Sequence, residues 1–213
     1  MRNEPKYLRY DKMGPKTADN FIKRGFEAYY VKTIEEAQLK AISLIPKNHI
    51  VSWGGSMSLK QIGLIEEVKK YYGVIDREGA KDPMEAMKQS LHADTYLMSS
   101  NGASFDGQLI NIDGNGNRVA ALSFGPKQVI VIIGLNKVKN TIEEAVDYAQ
   151  NSQAPMNCQR FTDLKTPCNK TGVCSNCLSE DCICNQILIT RRCNPKGRIK
   201  VIIVGESLGF CNN

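Results

Sequence analysis

Five of the chain's eight cysteines fall within residues 167–185, PCNKTGVCSNCLSEDCICN. The pair Cys174 and Cys177, with two residues between them, is the strong element, because that spacing lets both thiolates face one ion about 2.3 Å away. Cys168 and either Cys182 or Cys184 supply the other two corners of a tetrahedral site. Zinc and an iron–sulfur cluster both accept four thiolates, and spacing does not separate them. A redox dithiol at Cys174 and Cys177, or plain reduced cysteines, are the competing readings. Cys158, Cys193 and Cys211 lack paired spacing and read as free thiols, Cys158 being one that can approach the segment in space. Residues 158–185 are taken as a Cys-rich metal-binding insertion within a single domain over 1–213.

A second set of reactive types follows four apolar runs. VSW leads into Gly54, Gly55 and Ser56; YLMSS into Asn101 and Gly102; VIVII into Gly134, Asn136 and Lys137; VIIV into Gly205 and Glu206. Ligands of open α/β sheets bind beyond the carboxyl ends of the strands, so these positions are the expected ligand-binding residues. Gly54 and Gly55 let a backbone approach a ligand, Ser56 caps the following helix, and Lys137 can neutralise an anion. The bland reading of GGS is a plain strand-to-helix turn, and of Lys137 a solvated cation. Glu206, behind a buried strand, is the candidate catalytic base or nucleophile. Asp106 and Asp113 read as turn formers, and His49 and His92 as structural. No dinucleotide fingerprint, Walker A sequence or nucleophile elbow is present, so no nicotinamide or flavin motif is found. DGNGNR departs from a calcium loop at its sixth position.

Positioning those residues requires alternating strands and helices. TIEEAQLKAISLI and TIEEAVDYAQNSQ open with capping boxes at Thr33 and Thr141, and Asp82 with Pro83 starts another helix. MSLKQIGLIEEVKKYY reads as one helix. HIVSW, GVID, DTYLMSS, KQVIVIIG, NQILIT and RIKVIIVG read as strands. QLINID and RVAALSF flank GNGN, which predicts an antiparallel hairpin. The expected fold is α/β, a mainly parallel sheet flanked by helices, with that hairpin excursion and the Cys-rich insertion near the C-terminus.

With 213 residues, 42% hydrophobic and 23% charged, the chain has the composition of an ordinary globular protein. The start, MRNEPKYLRYDKMGPK, has no apolar h-region, and VIVIIGL is far short of a membrane span, so a cytoplasmic protein without membrane contact is expected. The formal charge of +6 is spread along the chain without a basic, aromatic stripe. That favours an anionic small molecule and argues against nucleic acid.

The stretches VSWGGSMSLKQIGL, ADTYLMSSNGASFDGQLINIDGNGNRVAALSFGPKQVIVIIGLNKV, TPCNKTGVCSNC and RIKVIIVGESLGF resemble the lactate-utilisation (LUD) domain family. The resemblance implies a fold related to the CoA transferase, ribose-5-phosphate isomerase and formyltetrahydrofolate cyclo-ligase group. It also implies a link to lactate oxidation with iron–sulfur partner subunits. The family pattern covers Gly54, Gly55, Ser56, Asn101, Gly102, Asp106, Gly107, Asn115, Gly116, Arg118, Gly134, Asn136 and Lys137. It also covers Cys168, Cys174, Cys177 and Cys184, leaving Cys182 as an extra thiol.

Three functions compete. The first is an enzyme or enzyme subunit of lactate or 2-hydroxy-acid utilisation that binds an anionic small molecule at the strand ends and carries a Cys-ligated metal. The second is an iron–sulfur electron carrier or redox sensor, and the third a non-catalytic interaction module with structural zinc. Iron–sulfur or oxidoreductase partner subunits are candidates, and a homo-oligomer is left open.

Overall fold

The computed structural model describes residues 3–210. In chain order the elements are α1 (Pro5–Lys23), β1 (Glu27–Val31), α2 (Ile34–Ser43), β2 (Ile50–Trp53), α3 (Met57–Gln61), α4 (Leu64–Tyr71), β3 (Gly73–Ile75), α5 (Pro83–Gln89), β4 (Thr95–Met98), β5 (Gly102–Ser104), β6 (Leu109–Asp113), α6 (Asn117–Ser123), β7 (Gln128–Gly134), β8 (Val138–Lys139), α7 (Ile142–Tyr148), α8 (Ala154–Cys158), α9 (Pro167–Thr171), β9 (Gln186–Thr190) and β10 (Ile199–Val204).

The main sheet has the order β1-β10-β7-β4-β2-β3, and all its pairings are parallel. Its strands β7 and β10 are rich in Val and Ile because helices or a second layer cover both faces. Val129, Val131, Ile133, Val201 and Ile203 pack on one face with Phe21 and Leu122. Ile130, Ile132, Ile202 and Val204 pack on the other with Leu59, Leu64 and Val68. Each such side chain, fully buried, contributes about 1.5–3 kcal/mol.

A second, mixed sheet, β8-β5-β6-β9, lies against the first of these faces: Ala103, Leu109 and Val138 join that core. Its opposite side, Ile110 and Ile112, packs on Ala145, Ala149 and Ala154. Those alanines belong to a nearly continuous helical run in which a π turn, Ala149–Gln153, joins α7 to α8.

Local capping behaves as the sequence predicts. Thr33 accepts from Glu36 N, Thr141 from Glu144 N, and Asp82 from Met84 N and Glu85 N. Other expectations need correction. The segment after GNGN is not a strand but α6, started by Gly116 at φ 83° and by Asp113, whose carboxylate accepts from Arg118 N and Val119 N. The antiparallel partners of β6 are instead β5, across a turn with Gly107 at φ 93°, and β9, which therefore leaves the main sheet. The predicted helix after Ser56 breaks at Gly63, whose φ of 64° ends α3 and starts α4.

The sequence reading missed α1 and β1. Gly14 and Pro15 look like a break, yet both lie inside α1. Packing explains the glycine: a Cβ there would stand 2.2 Å from the Tyr30 ring of β1, whose hydroxyl donates to Asp11 at 2.6 Å. Among the described residues no helix is long and apolar enough to cross a membrane.

Candidate functional site

Because the main strands run the same way, their carboxyl ends open onto one edge, and a crevice of about 210 Å³ lies there. Residues following β2, β3, β4, β7 and β10 all reach it: Gly55 and Ser56, Arg77, Ser99 to Asn101, Lys137, and Gly209 with Phe210. The end of β6 and the start of α6 contribute Asp113 and Arg118, and the helical run beyond β8 with the turn after it contributes Gln153, Asn157 and Arg160.

Among the described residues the lining holds four cations, Arg77, Arg118, Lys137 and Arg160, against one carboxylate, Asp113. Lys137 is only 5% exposed, and its Nζ donates to Ser58 Oγ at 3.2 Å, Ser99 Oγ at 3.3 Å and the Ser100 carbonyl at 3.3 Å. Arg118 Nη2 donates to the Ile112 carbonyl at 2.6 Å and pairs with Asp113 at 3.2 Å. Burial pushes the Tyr96 phenol up to about 12 against the pull of Arg118 and Arg77, so it stays a neutral hydroxyl beneath them.

Gly54 and Gly55 serve these cations by making room for arginine side chains. A Cβ on Gly54 would stand 2.6 Å from Arg118 Cγ, and one on Gly55 would stand 2.6 Å from Arg77 Nη2. Gly54 is thus behind the crevice wall, whereas Gly55 lines it. Ser56 lines it too and caps α3 by accepting from Leu59 N at 3.3 Å. Asn101 reaches the crevice while its Oδ1 accepts from Ile112 N at 3.0 Å.

Four other predicted site residues take supporting places at the same sheet edge or behind it. Gly102 lies against the Ala145 carbonyl, and Gly134 against the Glu206 carbonyl and Leu208 N. Asn136 holds the Leu208 backbone from both sides, donating to its carbonyl at 3.2 Å and accepting from its N–H at 3.1 Å. The Glu206 carboxylate accepts from Ile34 N at 2.8 Å at the start of α2, and Glu206 is not among the residues lining the crevice. Asp113, read as a turn former, ends β6 and serves Arg118 instead.

The sequence reading missed Arg77, Gln153, Asn157 and Arg160. Arg77 had a usable signal, since GVID is itself a strand and Arg77 follows it; the others sit on or just after a helical run that packs on the second sheet.

Cys168, Cys174, Cys177, Cys182 and Cys184 line a single cavity of about 60 Å³. Thr166 Oγ1 lies 3.2 Å from Cys158 Sγ and 3.3 Å from Cys168 Sγ, which ties the buried Cys158 to the group. Burial and then the neighbouring thiols push Cys184 up to about 12, whereas hydrogen bonds with Ser179 hold Cys177 below its ordinary value. Several thiolates in one place repel one another, and a bound cation is what relieves this. The donor chemistry therefore fits a thiolate-bound metal. As the side chains stand, however, no group of three or more His, Cys, Asp or Glu among the described residues is arranged to hold an ion. Cys193 is separate, accepting from Ile199 N at 3.3 Å, and Cys211 lies outside the described residues. The two cavities meet at Ile183, which lines both.

Comparison with solved structures supports the fold. A crystal structure of a DUF162 family protein from Deinococcus radiodurans is similar with a TM-score of 0.53 and 16% identity, covering 92% of this chain and 98% of that one. The eIF2B delta structure from Chaetomium thermophilum is similar at a TM-score of 0.33 and 16% identity, over 62% of this chain and 57% of that one, too slight a likeness to carry an argument. No curated protein matches the chain. The LUD domain matches residues 15–204, nearly the whole length, and the chain belongs to the LUD domain family.

Proposed function

We propose that this LUD-family chain is an enzyme or enzyme subunit of lactate or 2-hydroxy-acid utilisation that binds an anionic small molecule in the crevice at the strand ends. The observation that carries the reading is the ratio of charges there: Arg77, Arg118, Lys137 and Arg160 face one cavity, with Asp113 as the only carboxylate lining it among the described residues. A partly enclosed cationic site concentrates anions and orients them by charge-assisted hydrogen bonds. Isothermal titration with L-lactate and pyruvate tests it. Binding that weakens with salt is expected, and no heat with any small anion would end the proposal.

Within the same reading Cys168, Cys174, Cys177 and Cys184 hold zinc or an iron–sulfur cluster. Bound there, the metal would tie the cysteine segment together or, as a cluster, carry single electrons. Anaerobic purification followed by metal analysis and an absorption spectrum separates the two: a brown protein means a cluster, and a colourless one with stoichiometric zinc means a structural site. Iron–sulfur or oxidoreductase partner subunits in the cytoplasm belong to this proposal, and Val173 and Leu178, exposed on the cysteine segment, support it.

A further inference from the structure

We infer that the outer edge of β9 docks a second copy of this chain, whose own β9 pairs there antiparallel and continues the second sheet across a two-fold axis at Leu188. The inference stands apart from what the crevice and the cysteines bind.

The edge itself is the first observation. β9 ends the order β8-β5-β6-β9, and among the described residues β6 is the strand it pairs with. No backbone–backbone hydrogen bond outside that ladder involves residues 186–190 among the described residues. A strand with one neighbour turns a row of unpaired N–H and C=O groups outward, and what satisfies such a row in full is another strand.

The edge is also unguarded. Edge strands are ordinarily kept from pairing by charge, proline or very short length. The other sheet edges follow that rule: β8 has two residues and ends in Lys139, β3 has three, and β1 begins with Glu27, which pairs with Lys200. β9 reads QILIT, five residues with no charge, proline or glycine. Its Ile187 and Ile189 lie opposite Ile112 and Ile110 of β6, on the face that the α7–α8 run covers. That cover buries the β6 pair and leaves Ile187 and Ile189 each 45% exposed.

The sequence of β9 is complementary to its own reverse. With the axis at Leu188, all five residues pair: Gln186 opposes the second copy's Thr190, Ile187 opposes its Ile189, and Leu188 meets Leu188. Directly opposed residues of antiparallel strands share a face, so the exposed isoleucines of both copies form one apolar row. Charge obeys the same symmetry. Glu180 and Asp181 precede β9 and Arg191 and Arg192 follow it, with Glu180 and both arginines exposed. Reversal carries the arginines of each copy toward the acidic end of the other. An interface of this kind is isologous and closes at two copies, so the sheet does not grow further.

Sedimentation equilibrium of the full chain, with a reductant present to exclude intermolecular disulfides, tests this over a concentration series. A mass rising to twice that of one chain is expected, and Ile187→Lys combined with Ile189→Lys should return it to one. Both positions are half-exposed, so an unchanged far-ultraviolet circular dichroism spectrum and melting temperature are expected of the double variant. Should it fail to fold, amide hydrogen exchange of the unaltered chain decides: exchange within residues 186–190 should slow by about tenfold or more from the dilute to the concentrated sample. A single-chain mass at every concentration overturns the inference. So does a dimer that survives the double variant or leaves the β9 amides unprotected, since it forms through another surface.

Discussion

Ile183 lies against Gly114 so closely that a Cβ on the glycine would stand 3.3 Å from the Ile183 Cα. Ile183 sits between Cys182 and Cys184, and Gly114 follows β6, so this contact joins the cysteine segment to the rim of the cationic crevice. One residue then forms part of both walls. Binding in either cavity should be felt in the other, and by linkage the effect must be mutual. In the metal-free protein, saturating L-lactate is expected to slow iodoacetamide labelling of Cys182 by about fivefold or more, the lower end of usual coupling. Gly114→Val, which displaces the Ile183 backbone, should abolish the protection. Equal labelling rates with and without the anion, followed by mass spectrometry, would show two independent sites.

Gly54 is set by the side chain that crosses it. With the Arg118 stem 2.6 Å from where a Cβ would be, Gly54→Ala overpacks a buried position and should cost about 1–3 kcal/mol in urea unfolding. The same substitution moves Arg118 away from Asp113, so anion affinity should fall with stability. A variant as stable as the parent would mean that Arg118 relaxes freely and does not depend on the glycine.

Much of this arrangement is readable from sequence, and the remainder fails for physical reasons that can be named. The apolar runs of β2, β4, β7 and β10 lead into Gly, Asn and Ser, a local pattern that marks strand ends, and the caps at Thr33, Asp82 and Thr141 involve neighbours two or three residues apart. Such features depend on short-range chemistry. Gly14 is different, since its glycine is required by the Tyr30 ring and not by its own backbone. Gly54, Gly55 and Gly134 stand out in the sequence, but their close neighbours Arg118, Arg77 and Glu206 arrive from distant parts of the chain and no local pattern announces them. RVAALSF was misread because its apolar residues suit a strand or a short helix equally, and only the Asp113 carboxylate, two bonds to its first N–H groups, decides.

Acid should weaken the main sheet at its β1 edge. Burial works to raise the Glu27 carboxyl, but hydrogen bonds from Lys200 and Tyr29 outweigh it and hold the group below its ordinary 4.5. A carboxyl depressed in the folded state contributes stability above its unfolded value and loses it as pH falls through the folded one. Asp76 and Asp106 are likewise depressed, burial being outweighed by Lys69 and by Ser104, Gln108 and Arg24 respectively. Stability should therefore be flat from pH 7 to about 5 and fall below about 4. Lys200→Met, which removes the Glu27 partner from β10, should lower the melting temperature at pH 7 and converge on the parent near pH 3. A difference that persists unchanged at pH 3 would assign the loss to packing of the Lys200 stem instead.

Asn136 offers the sharpest separation of support from binding. Its amide grips the Leu208 backbone from both sides, and the next two residues, Gly209 and Phe210, form part of the crevice lining. Two net hydrogen bonds are worth about 1–3 kcal/mol together. Asn136→Ala should lower stability by that amount and also weaken anion binding, because the Gly209 backbone, positioned beside Lys137 Nζ, is no longer held. Asn136→Asp keeps the acceptor for Leu208 N while losing the donor and adding a negative charge close to Lys137. It should therefore weaken anion binding more than Ala does, and cost at least as much stability, because a carboxylate oxygen then faces the Leu208 carbonyl. A loss of anion binding in both variants, greater for Asp, is expected if Asn136 acts through the Leu208 backbone and the field at Lys137; unchanged affinity in isothermal titration with lowered stability in urea unfolding would reduce its role to folding alone.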